Sequence, residues 1–199
     1  MRMIFRLAVV TVLMLAGMLP NVAISQATAA KEGLLVVYGV LAPTREGDVD
    51  HREQIFVSVP ADLRDRFYLR IFDPEVSGFG DFTYGGTGNA LTTFRIFGGA
   101  GAYSAADRPA PEPDGARVPQ QRRVEPITGP GTLLTDVSFG NDSATDKSWV
   151  SLSALQAKQG EVIGQRAYFR LDIQGSGGDD GNGFSVAVSL ARDRNKPVE

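Results

Sequence analysis

Cysteine is absent from the 199-residue sequence, and histidine occurs once, as His51. Disulfide bonds, cysteine nucleophiles, thiolate zinc sites and iron–sulfur clusters are therefore excluded, and a single histidine excludes multi-histidine metal sites. The folded chain must depend on packing or on bound ions, because no covalent cross-link is available to it.

The recognisable catalytic motifs are absent as well. The sequence has no Gly-x-Ser-x-Gly elbow and no phosphate-binding Gly-x-x-x-x-Gly-Lys-Ser/Thr loop. His51, in "GDVDHREQ", is expected to be a surface loop histidine rather than part of a catalytic triad. A glycosidase needs only two carboxylates, and nothing singles out such a pair among 23 acidic residues.

The first 30 residues have the layout of a secretory signal peptide. Two arginines precede an apolar run of 13 residues, Leu7 to Leu19, and the letters "ATA" at 27–29 supply small residues for cleavage. The run is shorter than the roughly 20 residues of a membrane-spanning helix, so we expect export to the periplasm or beyond, with no transmembrane segment after processing. Removing two arginines changes the net charge from −3 to −5, which argues against nucleic acid as a partner.

Apolar residues recur with a period of two through most of the remaining chain. The stretches "EQIFVSVP", "FYLRIF", "AYFRLDIQ" and "FSVAVSL" alternate apolar and polar residues, as half-buried antiparallel strands do. With four weaker segments, they predict an all-β fold for residues 31–199: one antiparallel β-sandwich or barrel of about eight strands. "SLSALQAKQGE" is the helix-like exception, and the proline-rich stretch 107–130 is expected to be an inserted loop.

Acidic, glycine-rich loops follow several predicted strands. "DPEVSGFGD" contains Glu75 between two aspartates, "GNDSATDKSW" contains Asp142 and Asp146, and "GDDGN" precedes the last strand. Calcium takes six to eight oxygen ligands on loops that bend sharply, and glycine permits such bends. These loops predict a calcium site whose ligands are Asp73, Asp81, Asp179, Asp180 and Asn182.

A plain hairpin turn is the alternative for "GDDGN". Asp-Gly pairs also suit a tight turn at positive φ without any ion. With or without an ion, we predict that "AYFRLDIQ" and "FSVAVSL" pair as adjacent antiparallel strands joined by this loop.

Aromatic side chains are candidates for a carbohydrate platform, because flat rings stack on the apolar faces of sugars. Trp149 opens a predicted strand, where an inward-facing core residue is the favoured interpretation. The candidates are Phe79, Phe82, Tyr84, Tyr103 and Trp149.

The order of "IFVSVP", "FYLRIFDPE", "GTLLTDVSF", "AKQGE", "YFRLDI" and "GFSVAVSL" resembles the bacterial pre-peptidase C-terminal domain. That resemblance implies a secreted, non-catalytic, jelly-roll-like sandwich, sometimes with calcium in its loops, that aids secretion or binds surfaces. The proline-rich insertion and the "GFGDFTYGGTG" loop have no counterpart in the pattern.

Two functions remain open from the sequence. The favoured one is an exported, non-catalytic binding or accessory module, stabilised by calcium, for an extracellular or envelope ligand that is protein or carbohydrate. The other is a small exported hydrolase that acts on carbohydrate through a carboxylate pair.

Overall fold

The computed structural model describes residues 34–42, 51–78, 80–85, 88–106 and 129–198. All of them belong to one compact unit, Glu32–Glu199. The predicted signal peptide and nearly all of the proline-rich insertion lie outside the described residues, so both stay predictions.

Strands account for all but one of the regular elements in the described ranges. A single turn of 3₁₀ helix, Ala157–Gln159, separates the sixth strand from the seventh. The strands are β1 (Leu35–Tyr38), β2 (Arg52–Pro60), β3 (Phe67–Phe72), β4 (Leu91–Gly98), β5 (Thr132–Phe139), β6 (Trp149–Leu155), β7 (Glu161–Ile163), β8 (Arg166–Ser176) and β9 (Gly181–Ser189).

The strands form two antiparallel sheets that pack as a sandwich. One sheet has four strands in the order β1-β9-β3-β6, and the other has β2-β8-β4-β5 with the short β7 paired to β8. Most connections pass from one sheet to the other, which is the interleaved arrangement of a jelly roll. The prediction of an all-β antiparallel sandwich is confirmed.

The core lies between the two sheets and follows the alternation in the sequence. In β8, Ala167, Phe169, Leu171 and Ile173 are fully buried, while Tyr168 on the opposite face is only half-buried. Edge-to-face contact between Phe169 and Phe67 of β3, with ring centroids 5.3 Å apart, joins the two sheets. Arg170, Asp172 and Gln174 on the outward face of β8 are buried too, so the side chains packed between the sheets, rather than burial alone, identify its inward face.

The last two strands do not pair with each other, so the predicted hairpin is wrong. β8 pairs with β2 and β4, whereas β9 pairs with β1 and β3 in the other sheet. The "GDDGN" segment therefore crosses the edge of the sandwich. Local alternation shows that both segments are strands, but it carries no information on which strands are neighbours.

The predicted helix is also wrong. Residues 149–155 form β6, which pairs with β3, and only Ala157–Gln159 are helical. Pairing with a long neighbouring strand outweighs the helix propensity of this short segment. Gly160 ends the turn against β8, where an added Cβ would lie 2.8 Å from a ring carbon of Phe169. In the part of the chain that is described, no helix has the length and hydropathy to span a bilayer.

Candidate metal centre

Three segments of the chain meet at one end of the four-stranded sheet. The first follows β3, the second precedes β6, and the third begins β9. The N–H of Asp73 donates to the carbonyl of Ser148 (3.0 Å), and the N–H of Val76 donates to the carbonyl of Gly140 (3.0 Å). The N–H of Gly183 donates to Oδ1 of Asp81 (2.7 Å), which attaches the third segment.

Four acidic side chains gather where these segments meet. Oxygen atoms of Asp73, Glu75 and Asp146 lie within 4.8 Å of one another. Asp73 and Glu75 are 1% and 0% exposed, and Asp146 is half-buried. Asp81 is not one of these three carboxylates, but it lies near enough for the charges of Asp73 and Glu75 to raise the pKa of its carboxyl group. We call these four residues the acidic cluster.

The electrostatics of the acidic cluster oppose ionisation. Burial is the main cause that raises the pKa of Asp81 to about 7, and the neighbouring charges of Asp73 and Glu75 contribute to that rise. Burial likewise raises the pKa of Asp73 and of Glu75 above their ordinary values. The exposed Lys147 places a positive charge beside the cluster, with its Nζ 3.9 Å from Oδ2 of Asp146. Such an exposed pair compensates buried carboxylates only weakly.

Three buried oxygen atoms in this region make no hydrogen bond with any described residue. They are Oε1 of Glu75, Oδ2 of Asp81 and Oδ1 of Asn182. Asn182 is fully buried, and its amide nitrogen donates to the carbonyl of Pro74 (2.8 Å) and to Oγ1 of Thr92 (2.9 Å). These bonds hold the Asn182 amide beside the chain between Asp73 and Glu75. Buried polar atoms are nearly always paired, so three unpaired acceptors in one region require an explanation.

The backbone around the acidic cluster is unusual. Asp73 and Lys147 have φ angles of 60° and 55°, and the N–H of Lys147 donates to Oδ1 of Asp73 (2.8 Å). Non-glycine residues adopt positive φ at a cost, and such strain concentrates at functional sites. Gly78 and Gly80 also have positive φ, and an added Cβ at Gly78 would lie 3.1 Å from Oδ1 of Asp146. Glycine is thus needed for the chain to pass this close to the carboxylates.

The predicted metal ligands are divided between two places. Asp73, Asp81 and Asn182 lie in or beside the acidic cluster. Asp179 and Asp180 instead form hydrogen bonds with the glycine-rich loop that follows Asp81. Oδ1 and Oδ2 of the fully buried Asp180 accept the N–H groups of Tyr84 (2.5 Å) and Asn89 (2.6 Å). Asp179 Oδ1 accepts the side-chain amide of Asn89 (2.7 Å). Hydrogen bonds to the loop therefore account for the adjacent aspartates of "GDDGN".

Glu75 and Asp146 were missing from the predicted ligand set. Both occur in acidic loops that the sequence singles out, but they are brought together only when the segments after β3 and before β6 meet. The available signal was the spacing of Asp73 and Glu75, two residues apart after a strand. Full burial of Glu75 is what distinguishes it, and burial of a loop acid cannot be read from spacing.

Aromatic rings stand in pairs on the outer face of the four-stranded sheet. Tyr38 and Phe82 have ring centroids 6.0 Å apart, and Phe72 and Trp149 have centroids 5.5 Å apart. Trp149 is half-buried beside Phe72 and lies outside the core cluster, so its predicted core position is wrong. The reason is the alternation of β3, in which Leu69 and Ile71 face inward and Phe72 faces outward.

Other candidates from the sequence have local structural partners. Tyr103 stacks on Tyr168 with centroids 4.4 Å apart, which holds the loop after β4 against the five-stranded sheet. Tyr84 is half-buried in the loop that Asp180 fastens, and Phe79 lies outside the described residues. His51 is 6% exposed, so the expected surface histidine is in fact buried; its carbonyl accepts the N–H of Gly175 (2.8 Å).

A second group of buried charged residues lies on the outer face of the five-stranded sheet. Nε of Arg170 is 2.9 Å from Oδ2 of Asp172, and the side chain of Gln54 donates to Oδ1 of the same carboxyl (3.1 Å). Nη1 of Arg170 donates to the carbonyls of Ala102 and Pro130. Burial raises the pKa of Asp172, and the Gln54 bond and Arg170 oppose that shift. This pair connects the covering loops to the sheet.

No protein-family model, curated protein or solved structure matches this chain. Its function must be argued from the geometry of its own residues.

Proposed function

We propose that this protein is an exported, non-catalytic binding module that holds a carbohydrate on the outer face of its four-stranded sheet. The observation that carries the proposal is the presence of two aromatic pairs, Tyr38/Phe82 and Phe72/Trp149, on that one face. Phe82 is 47% exposed, so its ring is open to a ligand. Contiguous apolar patches on a protein surface, unlike single exposed side chains, mark binding sites.

The two pairs are placed in line along β9. Gly181 is opposite Tyr38 and bridged to Phe82, and Ser185 is opposite Phe72, which is itself opposite Trp149. Four residues of strand separate the two rows, a distance of about 13 Å. An extended oligosaccharide can reach both pairs, and a single sugar ring cannot.

Small residues between the two aromatic rows leave room for the segment around Gly80 to pack on the sheet. Gly183, Ser185 and Ala187 have the outward positions of β9, between the taller side chains of β1 and β3. The backbone of Gly80 passes over Gly183, because an added Cβ there would lie 2.3 Å from the Gly80 carbonyl oxygen. The segment at Gly80 therefore covers Gly183, and Gly181, Gly183 and Ser185 are buried, so a ligand on this face would contact the aromatic pairs and the Gly80 segment rather than β9 itself.

Two further lines of support come from the sequence. The charged start, apolar run and small residues of the first 30 residues favour export, which would bring the sandwich into contact with envelope or extracellular glycans. The pre-peptidase-like order of strands favours a non-catalytic accessory role, with calcium as the ion for its acidic loops. A protein ligand would also use aromatic residues, but the spaced pairs favour a linear chain of flat rings.

Binding to insoluble and soluble polysaccharides tests the proposal. A panel of chitin, cellulose, xylan and peptidoglycan should include at least one that retains the protein in a pull-down and slows it in affinity electrophoresis. Phe82→Ala and Trp149→Ala should each weaken that retention by about tenfold or more, as expected for a main contact. Leu133→Ala is the matched control, since Leu133 is a 48% exposed apolar residue on the other sheet.

Two results would contradict the proposal. Absence of binding across the panel, with the protein folded by circular dichroism, would exclude a general glycan-binding face. Release of reducing sugar that a single Asp→Asn or Glu→Gln change abolishes would instead establish the hydrolase alternative.

A further inference from the structure

We propose that the acidic cluster, Asp73, Glu75, Asp81 and Asp146, binds one calcium ion together with the side-chain oxygen of Asn182. This inference is independent of the carbohydrate proposal. It rests on the carboxylate oxygens of Asp73, Glu75 and Asp146, which lie within 4.8 Å of one another, and on buried acceptors without a donor in Glu75, Asp81 and Asn182.

The unpaired oxygen atoms are the first step of the argument. Acidic clusters at protein surfaces are common without an ion, because water satisfies their oxygen atoms. Here Glu75 is 0% exposed and its Oε1 makes no hydrogen bond, and the same holds for Oδ1 of the fully buried Asn182. Oδ2 of Asp81 is a third buried acceptor without a donor. Each of these atoms lacks the partner that a buried polar atom requires, and a cation would supply it to all three.

The ligand atoms determine which ion fits. Carboxylate and amide oxygens are hard ligands, which favour calcium or magnesium over zinc or copper. Five side chains supply at least five oxygen atoms, and calcium accepts six to eight at flexible angles. Magnesium demands a near-ideal octahedron and retains several waters, which suits a deeply buried set of side chains poorly. The cluster therefore fits calcium best.

The position of the cluster gives the ion a structural consequence. Asp81 immediately precedes Phe82, and Asp146 lies three residues before Trp149. An ion bound to both acids would fix the two segments that carry these rings. Calcium would then stabilise the fold by linking segments that are distant in sequence, a role that disulfides have in other exported proteins.

Calorimetric titration of the full chain with calcium chloride, after treatment with EDTA and dialysis, tests the inference. We expect one ion per chain with a dissociation constant of about 10⁻⁴ M or below, and weaker binding of magnesium. Glu75→Gln and Asp146→Asn should each weaken calcium binding by about tenfold or more. Asp146 is only half-buried, so its variant should fold even if the Glu75 variant does not.

Asp179→Asn is the matched control, because Asp179 contacts Asn89 and lies outside the acidic cluster. Its affinity for calcium should equal that of the wild type. Absence of calcium binding to folded wild-type protein would overturn the inference. It would also be overturned by binding that survives Glu75→Gln and Asp146→Asn but disappears in Asp179→Asn, or by equal affinity for magnesium. Loss of glycan binding with calcium binding intact would count against the carbohydrate proposal alone.

Discussion

Replacing Asp81 by asparagine should stabilise the calcium-free protein at alkaline pH. Oδ1 of Asp81 accepts the N–H of Gly183, and an asparagine oxygen can keep that bond. Oδ2 is buried without a donor, so the substitution removes a charge that the backbone hydrogen bonds of Gly183 and Ser77 offset only in part. The change also reduces repulsion with Asp73 and Glu75.

The size of the stabilisation expected from Asp81→Asn follows from the raised pKa of Asp81. Burial raises the pKa of Asp81 from 3.8 to about 7, so the folded state favours the protonated form. Its contribution to stability is complete below pH 3.8 and is lost as the pH rises through about 7. Three pKa units correspond to about 4 kcal/mol as a ceiling. Because Asp81 is partly exposed, solvent screening reduces this to about 1–2 kcal/mol. A stabilisation of that size raises the melting temperature by about 2–8 °C for a chain of this length.

Thermal unfolding in EDTA at pH 8 and at pH 4 measures the effect. Asp81→Asn should melt above wild type at pH 8, and the difference should shrink at pH 4, where the wild-type carboxyl is protonated. Adding calcium at pH 8 should reverse the order, because only the wild type keeps the full ligand set. Equal melting temperatures in EDTA at pH 8, or a less stable variant there, would refute the reasoning about this carboxyl group.

Three further predictions concern the core, an acid-sensitive loop and processing. Phe169→Ala should cost about 3–5 kcal/mol in chemical denaturation, because Phe169 is fully buried against Phe67; a near-neutral effect would contradict that packing. Glu161 accepts the N–H groups of Tyr103 (2.7 Å) and Ser104 (2.9 Å), and hydrogen bonds including these outweigh its desolvation and lower its pKa to about 2. Its stabilisation is complete above pH 4.5 and lost as the pH falls through about 2, so Glu161→Gln should be less stable by about 1 kcal/mol at pH 7, and the difference should shrink as the pH falls towards 2 and vanish below it; an undiminished difference in acid would contradict this. Intact-mass measurement of exported protein should find a chain that begins near residue 30 or 31, and a retained Met1 would exclude cleavage.

The sequence predicted the local structure of the long strands well, because alternation is a property of neighbouring residues. Phe169, Leu171 and Phe184 are all buried as their period-two positions require. Which strands pair with each other cannot be read from this alternation. β8 and β9 are consecutive, yet they lie in opposite sheets, since each finds its partners among strands far away in the chain.

The candidate site was predicted only in part, for a similar reason. Acidic glycine-rich loops led to Asp73, Asp81 and Asn182, which lie in or beside the acidic cluster, whereas Asp179 and Asp180 form hydrogen bonds with Asn89. Asp180 bonds to the N–H of Asn89, 91 residues earlier in the chain, which no local pattern reveals. The importance of Glu75 depends on complete burial in a loop, and that burial arises only from the meeting of three segments.

Anomalous X-ray diffraction from crystals grown with calcium, recorded at a long wavelength, would test the central claim most directly. The account predicts one strong peak within bonding distance of Oε1 of Glu75, Oδ2 of Asp81 and Oδ1 of Asn182. A map with no peak among these atoms, or with its calcium peak beside Asp179 and Asp180 instead, would contradict it.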